Sequence, residues 1–556
     1  MSSREDLRYG LDLAGLDPGA LVQALGEAGL HVARRPDVVA RAGIELAREQ
    51  SGVVLEAARR LLGADGDGTA TRERDDRRFK DRAWSENPFL FGLVGSYLAG
   101  TRCARRLLEE AELPAVTRRK AEFALDLLLD AAAPSNLPWL NPAVVKEAID
   151  TGGLSLVRGL SNFLTDLVEN AGRPRQVDRR PFELGKNLAA TPGRVVFRNH
   201  LIELLAYEPQ TDAVFAEPIL YSPPWINKYY VMDLAPGRSF IEYAVRNGFT
   251  VLAVSYRNPD EAMAKLTLDD YLRDGLLAAL DRAQELTRAP RVNIVSVCLG
   301  GTLAMIALAV LAARGQAERV GWATLNNVLV DFSEPGPLGV FTDEQTIERI
   351  ERRSARRGFL ESTELAGTFD WLRGNDLVWN YVVSGWYMGK DPPAFDILAW
   401  NADSTRLPAA MHSQYLRACY LENRLVRPNA LELDGTPVDL ARVETPLYVL
   451  SAENDHIAPW RSAYRTTQLV AGQARHVLTS GGHIAGMVNP PGNPKASYRV
   501  NGDTPPDPDE WLRGAETVTG SWWEDWSAWA AERSGERVQP PKLSDGEPAP
   551  GTYVRG

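Results

Sequence analysis

Apolar positions change their period along this chain. From residue 38 to 62, Val39, Ala42, Leu46, Val53, Ala57 and Leu61 recur near a 3.6-residue spacing, which predicts a helix with a weak spot at Gln50. A Gly- and Asp-rich stretch over 63–68 then reads as a flexible connection. Helical spacing returns over 89–112, 116–129 and 142–170, with Pro134 and Pro138 punctuating the run. Near residue 180 the pattern switches to short apolar runs between helical segments. Strands are predicted at 219–221, 250–255, 292–297, 446–450 and 475–479. Alternating strands and helices imply a mostly parallel sheet covered on both faces. Between 331 and 442 the strand signal fades into a Trp-, Tyr- and Pro-rich stretch that reads as a cap insertion. The expected architecture is α/β: a helical N-terminal domain over 1–179, then a catalytic domain over 180–556 interrupted by the cap.

Composition narrows the function classes. Of the 556 residues, 44% are apolar and 24% charged, enough for a full-sized core. Net charge is −11, which disfavours nucleic acid as a partner. The longest apolar run, 303–313, is too short to span a bilayer of about 30 Å, and residues 1–6 lack a signal-peptide pattern. Three cysteines, Cys103, Cys298 and Cys419, suit a reducing cytoplasm rather than a disulfide scaffold, and no His/Cys spacing suggests a metal.

One of those cysteines sits in a chemically specific place. Residues 292–304 run from a β-branched strand through Cys298, Leu299, Gly300 and Gly301 into an apolar helix. A nucleophile elbow needs this order, because a strand presents the reactive atom while a helix begins beneath it. Cys298 then takes the nucleophile's place, and the Leu299 N–H becomes an oxyanion donor at the positive end of the helix. In hydrolase-type triads the acid and then the histidine follow the nucleophile. Asp455 lies in the loop after the 446–450 strand and His483 in the loop after 475–479, so both fall on adjacent strand ends. His456 is a rival base, directly after the acid; His476 reads as a structural strand residue and His412 as an ordinary polar one. Asp455 could also cap the segment after Pro459. The loop over 222–230 is a candidate for the second oxyanion donor. The tryptophans at 522, 523, 526 and 529 have helical spacing and read as packed against the catalytic domain.

Taken together, these segments resemble the polyhydroxyalkanoate synthases, from about residue 75 to the end. The resemblance is carried by Asp76-Arg77-Arg78-Phe79, Trp84-Ser85-Glu86-Asn87-Pro88, Phe182-Glu183-Leu184-Gly185-Lys186-Asn187, Pro223-Pro224-Trp225-Ile226-Asn227-Lys228-Tyr229-Tyr230, Trp400-Asn401-Ala402-Asp403-Ser404-Thr405, Asp455-His456-Ile457 and Gly482-His483-Ile484. It implies an α/β-hydrolase fold with a mobile cap and a Cys-His-Asp triad that maps onto Cys298, His483 and Asp455, with Leu299 and Ile226 as oxyanion donors. It implies a single-subunit, class I enzyme that polymerises (R)-3-hydroxyacyl-CoA, most naturally 3-hydroxybutyryl-CoA, through a Cys thioester with release of CoA. No cofactor is expected beyond the CoA carried by the substrate. The implied partners are the growing polyester chain and its granule surface, and a second subunit in a homodimer, in the cytoplasm. Two positions depart from the family's usual pattern: Ser296 stands where the box has Gly, and Trp225 where a cysteine is common. A thioesterase or polymer depolymerase, and a non-catalytic granule-associated partner subunit, are the rival readings. The CoA-phosphate ligands stay unassigned, with Arg257, Lys228 and Arg406 in the matching segments.

Overall fold

A computed structural model describes residues 17–63, 76–543 and 546–556. By internal contacts the chain divides into two compact units, one of residues 1–178 with 366–393, the other of 179–365 with 394–556. The stretch expected as a cap is thus shared: 366–393 belongs with the helical unit and its flanks with the other.

The first unit is built of helices whose starts are written locally. Asp-Pro and Asn-Pro pairs open three of them: α1 (Pro18–Ala33), α3 (Pro88–Glu109) and α5 (Pro142–Asp150). In each, the side chain before the proline accepts a backbone N–H of the first turn: Gly19 onto Asp17, Phe89 and Leu90 onto Asn87, Ala143 onto Asn141. Between them run α2 (Pro36–Leu61) and α4 (Ala115–Ala131). Val39 and Leu61, expected on the apolar face of α2, are 44% and 75% exposed; its buried residues are Val38 and Ala42, because α2 lies at the surface of a small unit. The helix expected over 142–170 is two: Gly152 and Gly153 adopt positive φ (57° and 87°), ending α5 and starting α6 (Leu154–Glu169). The connection expected at 63–68 lies, beyond Gly63, outside the described residues. Residues 366–393 join this unit through α6: the Trp386 indole donates to Asp166 at 2.8 Å and meets the Phe163 ring edge-on at 5.0 Å.

The second unit is organised by one ten-stranded sheet. Its strands are β1 (Gly193–Arg198), β2 (Ile202–Tyr207), β3 (Ile219–Ser222), β4 (Val251–Tyr256), β5 (Val292–Val297), β6 (Val320–Asn326), β7 (Leu447–Ala452), β8 (Ala474–Thr479), β9 (Ser497–Val500) and β10 (Glu516–Thr519). They lie in the order β1-β2-β4-β3-β5-β6-β7-β8-β9-β10. The six from β4 to β8 are parallel, and antiparallel pairs extend the sheet at both ends. Every residue of β3, β4, β5 and β7 is buried, the burial expected of parallel strands covered on both faces. Strands β1, β2, β6, β9 and β10 are not among those predicted: β1, β9 and β10 carry mixed polar residues, whereas β2 and β6 are largely buried runs missed in the sequence.

Directly after β5 comes α7 (Leu299–Ala313), buried from Leu299 to Leu311. That explains why its sequence is apolar all round. The C-terminal α8 (Trp522–Ala531) brings Trp522, Trp523 and Trp526 to within 4.5–5.4 Å of the Phe240 ring, all three buried. The expected loss of strands over 331–442 holds only for long strands. Two-residue pairs at 359–360 with 407–408 and a hairpin of 431–433 with 436–438 punctuate its helices.

Candidate active site

The carboxyl ends of β5, β7 and β8 converge, as ligand sites do in parallel sheets. β5 ends at Val297, and Cys298 turns the chain with φ 48° and ψ −123° before α7 begins at Leu299. A non-glycine residue held at positive φ stores strain, which the surroundings here oppose. The Cys298 N–H donates to the Asn326 carbonyl at 2.9 Å, and the Cys298 carbonyl accepts from Gly301 at 2.8 Å and Thr302 at 3.2 Å. Gly300 is required by contact: a Cβ there would lie 2.3 Å from the Ser222 carbonyl oxygen and 2.4 Å from that of Pro223. The loop after β3 is therefore pressed against the first turn of α7.

Ser296 does not disturb this turn. It is wholly buried, and its hydroxyl donates to the Thr324 carbonyl of β6 at 2.8 Å. Its hydroxymethyl group is thus used across the sheet rather than at the turn.

Asp455 lies in the loop after β7, its side chain fully buried. It does not cap the helix after Pro459, whose first residue is Trp460 and which has no side-chain cap; it closes its own loop and meets the histidine. Oδ1 accepts the N–H groups of Ile457 (2.8 Å) and Ala458 (2.9 Å), and Oδ2 accepts His483 Nδ1 at 2.6 Å. His483, 8% exposed, follows the Ser480–Gly482 turn after β8. With Nδ1 committed to Asp455, the imidazole also lies within electrostatic reach of the Cys298 sulfur. Burial pulls the His483 pKa down, but its interactions with Asp455 and Cys298 outweigh it and push it up to about 10. Carboxylate and imidazole are thus bonded to each other, and the sulfur lies within their electrostatic reach. The other histidines stand apart from this group. His476 bonds Ser451 through Nε2 at 2.6 Å, packs against Trp511 and is pushed down to about 3 by burial. His412 is buried and pushed down to about 4. His456 is half-buried, and Asp455 Oδ2 is taken by His483 instead.

Comparison with known proteins identifies the family. Residues 75–244 match the family model described as the poly-beta-hydroxybutyrate polymerase (PhaC) N-terminus, and 227–490 match that of the alpha/beta hydrolase fold. Poly(3-hydroxyalkanoate) polymerase 2 of Ectopseudomonas oleovorans is 46% identical over 487 residues, 86% of each chain. The poly(3-hydroxyalkanoate) polymerase subunit PhaC of Cupriavidus necator is 41% identical over 538 residues, 94% of this chain and 91% of that one. The chain belongs to the poly(3-hydroxyalkanoate) polymerase family.

Around the elbow of this polymerase-family chain, two backbone donors stand open. Among the described residues, neither the Leu299 N–H nor the Ile226 N–H donates to a protein acceptor. Trp225, beside Ile226, is 2% exposed and meets Tyr415 and Tyr271 edge-on at 5.6 and 5.9 Å. Tyr415 and Tyr420 are within electrostatic reach of the Cys298 sulfur, and Phe332 packs on both. Trp225, Tyr271, Tyr415, Tyr420 and Phe332 thus form one aromatic cluster, part of it within electrostatic reach of the sulfur. The cations considered for the CoA phosphates already have partners: Arg257 pairs with Asp260 at 2.5 Å, Arg406 with Glu361 at 3.2 Å and Lys228 with Asp403 at 3.0 Å.

Sequence reasoning missed two residues that bind the site together. Asn326 donates to the Ser296 carbonyl at 2.9 Å while its own carbonyl receives the Cys298 N–H, and Asn327 Nδ2 donates to the His483 carbonyl. Both sit at the carboxyl end of β6, between the elbow and the acid strand. The signal was an Asn-Asn pair closing an apolar strand, next to a nucleophile strand.

Proposed function

We propose that the protein is an acyltransferase that polymerises (R)-3-hydroxyacyl-CoA, 3-hydroxybutyryl-CoA foremost, into polyhydroxyalkanoate with release of CoA. The observation that carries this reading is the His483 imidazole bonded to Asp455 at 2.6 Å and within electrostatic reach of the Cys298 sulfur at the elbow. The names of the relatives support the class of polymer.

Each step follows from that set of groups. His483 takes the thiol proton, and Asp455 stabilises the imidazolium so formed. The Cys298 sulfur attacks the thioester carbonyl, and the developing oxyanion accepts the open N–H groups of Leu299 and Ile226. Loss of one such donor typically costs about 10²–10³ in kcat. Collapse breaks the bond from carbonyl carbon to the CoA sulfur, and His483 returns the proton to the leaving thiol. One thioester replaces another, so the acyl group keeps its activation. For elongation His483 takes the proton of a chain-end 3-hydroxyl, whose oxygen attacks an acyl thioester; an ester bond forms and the thiol leaves. Water must be kept from that thioester, and the cap segments are the part of the chain suited to exclude it.

The enzyme works in the cytoplasm at the surface of the polyester granule, as a homodimer. An exposed helical stripe on α6 supports granule contact: Leu154, Val157, Leu160, Leu164 and Val168 are 58%, 66%, 58%, 51% and 80% exposed. Among the described residues no helix is long and apolar enough to cross a membrane, so this stripe suits attachment to a surface.

The test is CoA release from 3-hydroxybutyryl-CoA by the wild type beside Cys298→Ala, with the insoluble product depolymerised and identified. Release with polymer in the wild type, and neither in the variant, supports the synthase. Release with soluble hydroxy acid alone makes the protein a thioesterase, and no release from short or medium acyl chains makes it a non-catalytic partner.

A further inference from the structure

Lys228 is a buried cation, its side chain 7% exposed. Burying an ammonium is costly unless it is paired and hydrogen-bonded, so its partners carry information. Its Nζ donates to the Val554 carbonyl at 2.6 Å and pairs with Asp403 Oδ1 at 3.0 Å. Asp403 also accepts the Tyr230 hydroxyl at 2.8 Å and has Arg179 at 3.5 Å. The Trp400 indole donates to the Lys228 carbonyl at 2.8 Å. Thr405 holds Trp225 and Ile226 of the same loop, its hydroxyl donating to the Trp225 carbonyl at 2.9 Å and its N–H to that of Ile226 at 3.4 Å. Residues 400–405 therefore grip the loop from one side.

The carboxyl-terminal ten residues grip it from the other. Glu203 of β2 is fully buried, its charge met by Arg198 at 2.5 Å. Its carboxylate accepts the N–H groups of Thr552 and Tyr553, both at 3.0 Å, and the Thr552 hydroxyl at 2.7 Å. The Ala549 N–H donates to Gly193 of β1 and the Tyr553 hydroxyl to Asn199. Residues 547–556 thus form a strap fastened to the β1–β2 end of the sheet, and its Val554 carbonyl reaches Lys228. A buried carboxylate and a buried ammonium are both committed to the main chain of this one segment, 326 positions from Lys228 in sequence.

We propose that Lys228 is a positioning residue: clamped between the strap and Asp403, it sets the backbone two residues away, at Ile226, and so lets the carboxyl terminus govern acylation at a site it does not touch. This rests on the reading of Ile226 as an oxyanion donor. A misplacement of about 1 Å in a reacting geometry can cost about 10²-fold in rate.

The experiment compares full-length wild type, Lys228→Met, Lys228→Arg and Thr552→Val. It measures kcat and KM for CoA release from 3-hydroxybutyryl-CoA, alkylation of Cys298 by iodoacetamide, and Tm. The expected result is a kcat lower by about 10²-fold in Lys228→Met with KM little changed. Alkylation should match the wild type, because thiol and imidazole are untouched. Lys228→Arg should recover part of the loss, and Thr552→Val, which removes one strap bond, should lower kcat less, in the same direction. A folded Lys228→Met with wild-type kcat overturns the proposal, as does slowed alkylation, which would place the defect at the thiol. If Lys228→Met does not fold, Thr552→Val decides: wild-type kcat in that variant overturns it. A wild type that releases no CoA overturns the underlying function, and this proposal with it.

Discussion

Substituting Gly300 by Ala tests how tightly the loop after β3 is pressed on the nucleophile helix. The added Cβ would meet the carbonyl oxygens of Ser222 and Pro223 at 2.3 and 2.4 Å and the Pro223 carbonyl carbon at 2.6 Å, where contacts under 3.0 Å are essentially never made. Those atoms are backbone, so no side-chain rotation relieves them. The loop must withdraw by more than half an ångström to reach even the tightest allowed contact, and by about 1 Å for an ordinary one. That loop leads directly to the Ile226 N–H. A shift of about 1 Å in a catalytic contact costs about 10²-fold in rate, and overpacking costs about 1–3 kcal/mol of stability. The stability loss is partly offset, because Ala is favoured over Gly within a helix by about 1 kcal/mol. The expected outcome is therefore a large fall in kcat for CoA release with a modest fall in Tm. Gly301→Ala is the control. Its Cβ would meet Val328 methyl groups at 2.1 and 2.9 Å and no loop carbonyl, so it should lower Tm more than it lowers kcat. Wild-type kcat in Gly300→Ala would refute the reasoning, since the donor loop would then not be seated on α7.

Other predictions test separate parts of the site. Ser296→Gly should leave kcat near wild type, because the hydroxyl faces Thr324 rather than the sulfur. It should lower stability by about 1–2 kcal/mol through the lost hydrogen bond and the freer unfolded chain, read by denaturant unfolding. The His483 pKa is raised from its usual 6.5 to about 10 in the fold, so the native state holds a proton that the unfolded state has released. That stabilisation is fully present below pH about 6.5 and is lost as pH rises to about 10, so the Tm difference between wild type and His483→Gln should shift against the wild type across that window. A difference independent of pH would show that the imidazole is not held protonated. Leu160→Lys with Leu164→Lys places two charges on the exposed stripe of α6, and should reduce cosedimentation with polymer while leaving the first turnovers of CoA release unchanged. An unchanged partition would remove that stripe from granule contact.

What the sequence determined by itself was the part of the molecule governed by near neighbours. The helical period of the first third, the switch to buried apolar strands, and the Cys-Leu-Gly-Gly turn between strand and helix are all local patterns, and all occur in the structure. The order of Cys298, Asp455 and His483 was legible because each follows a strand, and parallel strands bring their carboxyl ends to one edge. Tertiary structure decided the rest. It turned Ser296 toward β6, set Asn326 and Asn327 between elbow and acid, and joined residues 366–393 to the helical unit. It also brought Val554 onto Lys228. The physical reason is distance along the chain. A cap or a tight turn is fixed by bonds and sterics within a few residues. The partner of a buried serine, asparagine or lysine depends instead on which remote segments the sheet order makes adjacent.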